Sequence, residues 1–234
     1  MVTEHRADAE ILAGIRGLTL RIDGSRAPTM ESVADLGALC ARAQGGDPDK
    51  IVILRVAGVP GPGWSGDLSV GLVSKWERGL RWLERLPAVT IAVADGDCGG
   101  AALDALLAAD YRIMPAGARL VMPVVAGATW PGMTLYRLAR QAGWAALARR
   151  AALFGVPIGA AEALAMGVID DVAGDAGLAL EKAMDVAGAA RGAELAIRRQ
   201  LMCEAMTATF EDALGAHLAA CDRALRMVAA GAGP

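Results

Sequence analysis

The chain has 234 residues, enough for one α/β domain or one domain with a helical appendage. It is 55% hydrophobic with a mean hydropathy of +0.39, yet only 4% aromatic, so much of its apolar mass is Ala and Gly suited to closely packed layers. A net charge of −3 on interspersed acidic and basic residues argues against nonspecific nucleic-acid binding as the main task.

The first residues carry Glu4, His5, Arg6, Asp8 and Glu10, which fits neither a signal peptide nor an apolar anchor. Leu18–Ile22 alternates like a strand and leads into the turn-rich Asp23–Pro28. Thr29 is placed to cap a helix running to about Ala43, with Gly45 and Gly46 ending it. Ile51–Val56 is a β-branched run of the buried-strand type. A Gly- and Pro-rich loop, Gly58 to Gly66, precedes an amphipathic helix with Leu72, Val73, Trp76, Leu80 and Leu83 on one face. Val89–Ala94 reads as a second buried strand, Asp95–Gly100 as a loop, and Ala101–Ala109 as an apolar helix. Tyr111–Met114 and Arg119–Met122 read as short strands. The longest uncharged run, Leu120 to Tyr136, has 17 residues broken by Pro123, Gly127, Pro131 and Gly132. A spanning helix needs roughly 20 apolar residues in one element, so no membrane span is expected. From Thr134 the pattern is helical, with breaks at Gly143, Gly155 and Gly167 and a last helix from about Ala193 to Val228 in one or two pieces. The composition divides the chain into an α/β core over 1–140 and a helical region over 141–234, which would serve oligomerisation and cover the pocket.

Several chemistries are excluded by residue type. All serines lie in the first third and the only histidines are His5 and His217, which suits no Ser-His-acid triad. Walker A and HExxH motifs are absent. Cys40, Cys98, Cys203 and Cys221 lack CxxC spacing, so no metal site or disulfide framework is expected, and a reducing cytoplasm is the default location. Gly61, Gly63 and Gly66 form a literal GxGxxG, but Pro62 interrupts it, and Asp95 stands too far on for the ribose-binding acid of a dinucleotide fold. The remaining readings of that loop are a plain turn or an anion-stabilising loop.

Two glycine-bearing loops, ending at Gly66 and at Gly100–Ala102, each run from strand to helix. Backbone N–H groups at a helix start have no acceptor inside the helix. Two such amides converging on one point would stabilise a developing enolate or oxyanion. Asp104 is a single carboxylate in the apolar stretch Ala101–Ala109. It reads either as a general acid or base or as a first-turn acid that favours the helix dipole.

The segment from Asp95–Gly96 through Gly99–Gly100–Ala101–Ala102–Leu103–Asp104 to Asp110–Tyr111–Arg112–Ile113 resembles the NGxxxGGGxEL…CDxRIA segment of the crotonase (enoyl-CoA hydratase/isomerase) superfamily. Ile51–Leu54 with Gly63–Trp64–Ser65–Gly66–Asp67–Leu68 resembles its strand and FxAGxDL loop. Leu120–Pro123 with Trp130–Pro131–Gly132 resembles its LPE…PG segment, and Gly159–Leu164 with Met166–Asp170 its SAxEAxxxGLVxxV segment. The resemblance spans roughly residues 15 to 225.

That resemblance implies a crotonase-type spiral of ββα units with a helical C-terminal region, homotrimers or hexamers, acyl-CoA thioester substrates and no cofactor beyond the coenzyme A of the substrate. Carried over by position, the amides of Gly66 and Ala102 bind the thioester oxygen and Asp104 stands for the first catalytic glutamate, while Asp67 could take the role of Gly66. Trp64, Asp67 and Trp130 would contact substrate, though either tryptophan also reads as plain core. The chain departs from the pattern where the second glutamate belongs, at Val124, and no Asp or Glu occurs from Tyr111 to Ala161. Asp67, Glu77, Asp97 or another subunit are candidates for a second acid or base. The lysine-bearing tail that holds coenzyme A is not evident. Arg112, Arg119, Arg137, Arg140, Arg149 and Arg150 read as a solvated or intersubunit basic face, or else as phosphate binders. One carboxylate, Trp-Pro-Gly and the short C-terminus look most like the hydratase-like proteins of dihydroxyphenylacetyl-CoA formation in antibiotic biosynthesis. The expected function is a dehydratase or hydratase-like lyase acting on a polyketide-derived CoA thioester. The alternative is a catalytically weak subunit that assists other pathway enzymes.

Overall fold

The computed structural model describes residues 17–45, 51–142, 145–174, 176–187 and 192–231. The expectations at residues 1–16, Gly46 and Gly143 fall outside them. Strand β1 (Gly17–Asp23) leads through α1 (Met30–Gln44) to β2 (Ile51–Gly58), and α2 (Val70–Leu83) leads to β3 (Val89–Gly99). Helix α3 (Gly100–Ala108) connects to β4 (Tyr111–Pro115). These strands pair in parallel in the order β1-β2-β3-β4, so each strand–helix unit adds its strand beside the previous one. Hydrophobic residues on both faces of β2 suit a parallel sheet covered on both sides.

The two faces separate by parity. Leu18, Leu20, Ile22, Val52, Leu54 and Val56 pack with Leu36, Trp76, Leu80 and Leu106 from α1, α2 and α3. Ile53, Ile91, Val93 and Ile113 point the other way, onto Ala179, Leu180 and Ala183 of α7 (Ala176–Ala187). Thr29 caps α1 as expected: its side chain accepts from the Ser32 amide at 3.1 Å, and the Ser32 hydroxyl accepts from the Thr29 amide at 2.8 Å.

Asp95–Gly99, read from sequence as a loop, continues β3. The reason is a change of partner. Ile91–Val93 pair with β4, whereas Cys98 and Gly99 pair with Leu120 and Val121 of β5 (Arg119–Val121). β5 in turn pairs antiparallel with β8 (Ile158–Gly159), and β9 (Asp171–Ala173) pairs parallel with β4. Two strands beyond residue 140 thus join the main sheet.

A small hairpin, β6 (Val124–Val125) and β7 (Ala128–Thr129), precedes α4 (Met133–Ala142). Helix α5 (Ala146–Phe154) ends at Gly155 with φ +66°, a left-handed cap, and α6 (Ala160–Ala165) follows. The C-terminal helix is two pieces, α8 (Gly192–Ala205) and α9 (Phe210–Gly231). Among the described residues no helix is long and apolar enough to cross a membrane.

Candidate active site

The site is built where β3 becomes α3. Gly99, extended at φ −143°, is the N-cap of α3 and brings no side-chain cap. The amides of Gly100, Ala101 and Ala102 therefore open the helix without an intrahelical acceptor. Close backbone packing fixes this corner. A Cβ at Gly24 would stand 2.2 Å from the Gly99 oxygen and 2.6 Å from the Ala102 methyl, and one at Gly100, whose φ is +49°, 2.7 Å from Pro60. Val59 and Pro60 also press on Gly99, so the loop leaving β2 starts directly against the N-terminus of α3. The two glycine loops do meet.

That first loop is a run of tight turns, with Trp64 N–H donating to the Gly61 oxygen, Gly66 to Gly63 and Leu68 to Ser65. The Gly66 amide, assigned from sequence as an oxyanion donor, is thus spent on the Gly63 carbonyl at 3.0 Å. The flanking amides of Ser65 and Asp67 have no acceptor among the described residues. The tight turn Gly63–Gly66 consumes the central N–H. Ser65 was not singled out from sequence, nor was Ala101, which shares the open first turn of α3 with Ala102.

Trp64 and Trp130 meet edge to face with ring centroids 5.6 Å apart. Trp64 Nε1 donates to the Val124 carbonyl at 3.4 Å, so the loop, the hairpin and the entry to α4 form one apolar wall. Asp67 is exposed beside it.

Asp104, one turn into α3, points between α2 and α4. One carboxylate oxygen accepts from Trp76 Nε1 at 3.3 Å and the other from the Thr134 hydroxyl. Burial pushes its pKa above the usual carboxylate range, against the pull of Thr134, Arg137 and Trp76. Beside it, Arg137 is 6% exposed and pairs with Glu77 and Glu84, each at 2.8 Å. Cys98, under the same corner, has its thiol pushed up to about 12, chiefly by burial, and is no nucleophile.

Comparison with known proteins adds the lineage. A sequence model of the enoyl-CoA hydratase/isomerase family matches residues 70–230. A protein from Amycolatopsis orientalis described as enoyl-CoA-hydratase is 54% identical over 209 residues, covering 89% of this chain and 96% of that protein. The chain belongs to the enoyl-CoA hydratase/isomerase family. Solved structures agree on the fold. An enoyl-CoA hydratase from Mycobacterium smegmatis superposes with a TM-score of 0.76 at 17% identity, covering 90% of this chain and 87% of that one. An enoyl-CoA hydratase/isomerase from Marinobacter aquaeolei gives 0.74 at 20% identity, covering 94% and 89%.

Set against this family's pattern, the arginines read as one basic face divide into separate roles. Arg112 is half-buried and donates to the carbonyls of Ala109 and Val168 and to Gln141. Arg119 pairs with Asp97 at 2.7 Å, Arg137 with the two glutamates, and Arg140 donates to the Cys203 carbonyl. Most of the acid-free stretch is therefore tied into the protein by acids and carbonyls from elsewhere in the chain. Among the described residues no group of three or more His, Cys, Asp or Glu is arranged to hold a metal.

Proposed function

We propose that this family member dehydrates a β-hydroxyacyl-CoA, or hydrates the corresponding enoyl-CoA, through a thioester enolate. The observation that carries the reading is the corner at Gly99–Ala102, where the open first turn of α3 is packed against Val59 and Pro60 at the start of the first glycine loop. Amides of Ala101 or Ala102 and of Ser65 or Asp67 polarise the thioester carbonyl as charge develops on its oxygen. Asp104, kept protonated by burial more readily than an ordinary carboxylate, gives a proton to the departing hydroxyl or takes one from Cα. Trp64 and Trp130 line the acyl side, and the coenzyme A belongs to the substrate.

The pattern of a single carboxylate with Trp130–Pro131–Gly132 supports a bulky, polyketide-derived CoA thioester of cytoplasmic secondary metabolism, including antibiotic biosynthesis. The apolar side chains exposed on the C-terminal helices support an oligomer, which the family resemblance implies is a homotrimer or hexamer.

The deciding experiment compares the wild type and Asp104→Asn on β-hydroxyacyl-CoA substrates. Loss of a general acid–base group lowers kcat by about 10²-fold or more, with KM little changed. Unaltered turnover would remove Asp104 from the chemistry. A second reading, a subunit that assists other pathway enzymes, is favoured by one observation: both Asp104 oxygens already have donors, and Thr134 above them is 3% exposed. Turnover by the purified chain alone supports the enzyme; turnover only in a mixture with pathway enzymes supports the subunit.

A further inference from the structure

The polar cluster behind Asp104 has more carboxylates than guanidiniums. Glu77, Glu84 and Trp76 come from α2, Asp104 from α3, and Thr134 and Arg137 from α4. Arg137 binds Glu77 Oε2 and Glu84 Oε1, each at 2.8 Å, and Arg81 binds Glu84 at 2.9 Å. From α8, Arg199 donates to the carbonyls of Glu84 and Leu86, but its charge is matched by Asp110 at 2.5 Å. Across the cleft between α2 and α8, Arg85 and Glu204 add one charge of each sign. Arg140 of α4 is turned to the Cys203 carbonyl and the Tyr136 hydroxyl, so Arg81 and Arg137 are the guanidiniums paired within the cluster, and its three carboxylates outnumber them by one. An uncompensated buried charge is removed by taking up a proton.

The geometry says where that proton resides. Glu84 is held by two guanidiniums. Glu77 Oε2 touches Arg137 without hydrogen-bond alignment and is left without a hydrogen bond, as is Nη1 of Arg137. Asp104 has only neutral donors, the Trp76 indole and the Thr134 hydroxyl. We propose that Glu77 and Asp104 hold one proton between them across Arg137, Glu77 being the positioning residue that keeps Asp104 in its acid form. Burial raises the pKa of both groups; at Glu77 the guanidinium of Arg137 opposes that rise and the charge of Asp104 adds to it, and at Asp104 burial prevails over Thr134, Arg137 and Trp76.

The inference rests on Asp104 as the acid–base group and supplies the second carboxylate without a residue at Val124. In dehydration the C–O bond breaks as Asp104 passes its proton to the leaving hydroxyl, which departs as water. The electrons of the Cα–H bond enter the new double bond by way of the enolate. The Cα proton returns to the Glu77–Asp104 pair, which ends the cycle with the one proton it began with.

The test is carboxyl-carbon NMR of the full chain with labelled aspartate and glutamate, across pH, beside the pH–rate profile. In the wild type, Asp104 and Glu77 titrate as a coupled pair above ordinary carboxylates. Glu77→Gln removes the excess charge, so the Asp104 midpoint falls by about one pH unit or more, and the limb of the rate profile that needs the acid form moves with it. Glu77→Asp restores both. An Asp104 midpoint in the ordinary range in the wild type, or one unmoved by Glu77→Gln, overturns the inference, and the wild-type titration decides it even if the variant fails to fold. Full dehydration activity in Asp104→Asn, with the coupled titration present in the wild type, instead overturns the catalytic reading alone.

Discussion

Asp104 and Glu77 bind protons more tightly in the folded chain than in the unfolded one, because burial disfavours their charged forms. Between the ordinary carboxylate pKa, about 4, and their raised folded values, the native state carries more protons. The unfolding free energy therefore falls as pH rises through that window, and the contribution is fully favourable only below it. Asp97 and Glu194 act in the opposite sense. Hydrogen bonds from Arg119 to Asp97, and from Arg198 and Arg223 to Glu194, lower their pKa, so their stabilisation is lost as pH falls below ordinary carboxylate values. Both lie at the surface, half-buried beside exposed arginines, and their effect is partly screened. Denaturant titrations of wild type and Asp104→Asn at a series of pH values should show the wild-type advantage shrinking as pH rises above about 4. A difference independent of pH would mean that Asp104 titrates normally. One carboxylate among apolar residues made Asp104 legible in the sequence. Its donors were not legible, because Trp76 and Thr134 stand 28 and 30 residues away and meet it only when three helices pack.

At the level of elements, the strand–helix corner at Gly99–Gly100 matters more than any helix propensity. Patterning alone located β1, α1, β2, α2 and α3 to within a few residues, since apolar periodicity and the Thr29 cap are local signals. The continuation of β3 through Asp95–Gly99 is nonlocal: it depends on β5 arriving at Cys98, which no spacing within 95–100 announces. The capture of the Gly66 amide by Gly63 is likewise a matter of turn geometry rather than of motif. Gly24 is the element-scale support of the corner. Its would-be Cβ meets three neighbours between 2.2 and 2.6 Å, the nearest two being backbone oxygens of Gly99 and Gly58, which cannot rotate away. Gly24→Ala is therefore expected to cost about 1–3 kcal/mol and to raise KM for the CoA thioester by displacing α3. Gly61→Ala, with nothing within 4 Å of the new methyl, is the matched control. It should change stability by less than about 0.5 kcal/mol. Equal denaturation midpoints for the two variants would remove Gly24 from this role.

Across the molecule, exposed apolar side chains gather on the later helices, including Leu153, Phe154, Leu178, Met202 and Met206. Helix α9 is the extreme case. It leans on α8 through half-buried Ala213, Ala220 and Ala224, with Arg223 bound to Glu194 at 2.7 Å. Its outer side presents Leu214, Leu218, Cys221, Leu225 and Val228, spaced 4-3-4-3, with Leu225 and Val228 near 70% exposed. That spacing is the seam of a helix that packs on another helix. A chain with this much exposed apolar surface gains by burying it in a second copy, at about 25 cal/mol per Å² removed from water. This surface is consistent with the proposed oligomer, whose copy number comes from the family resemblance alone. Light scattering on the purified chain should give a mass of three or six copies. Leu218→Asp with Leu225→Asp, two charges on the outer seam and away from the Asp104 cluster, should shift that mass toward the monomer while preserving the helix content of the fold. A wild-type chain that stays monomeric at micromolar concentration would leave the seam without a second copy and overturn the assembly.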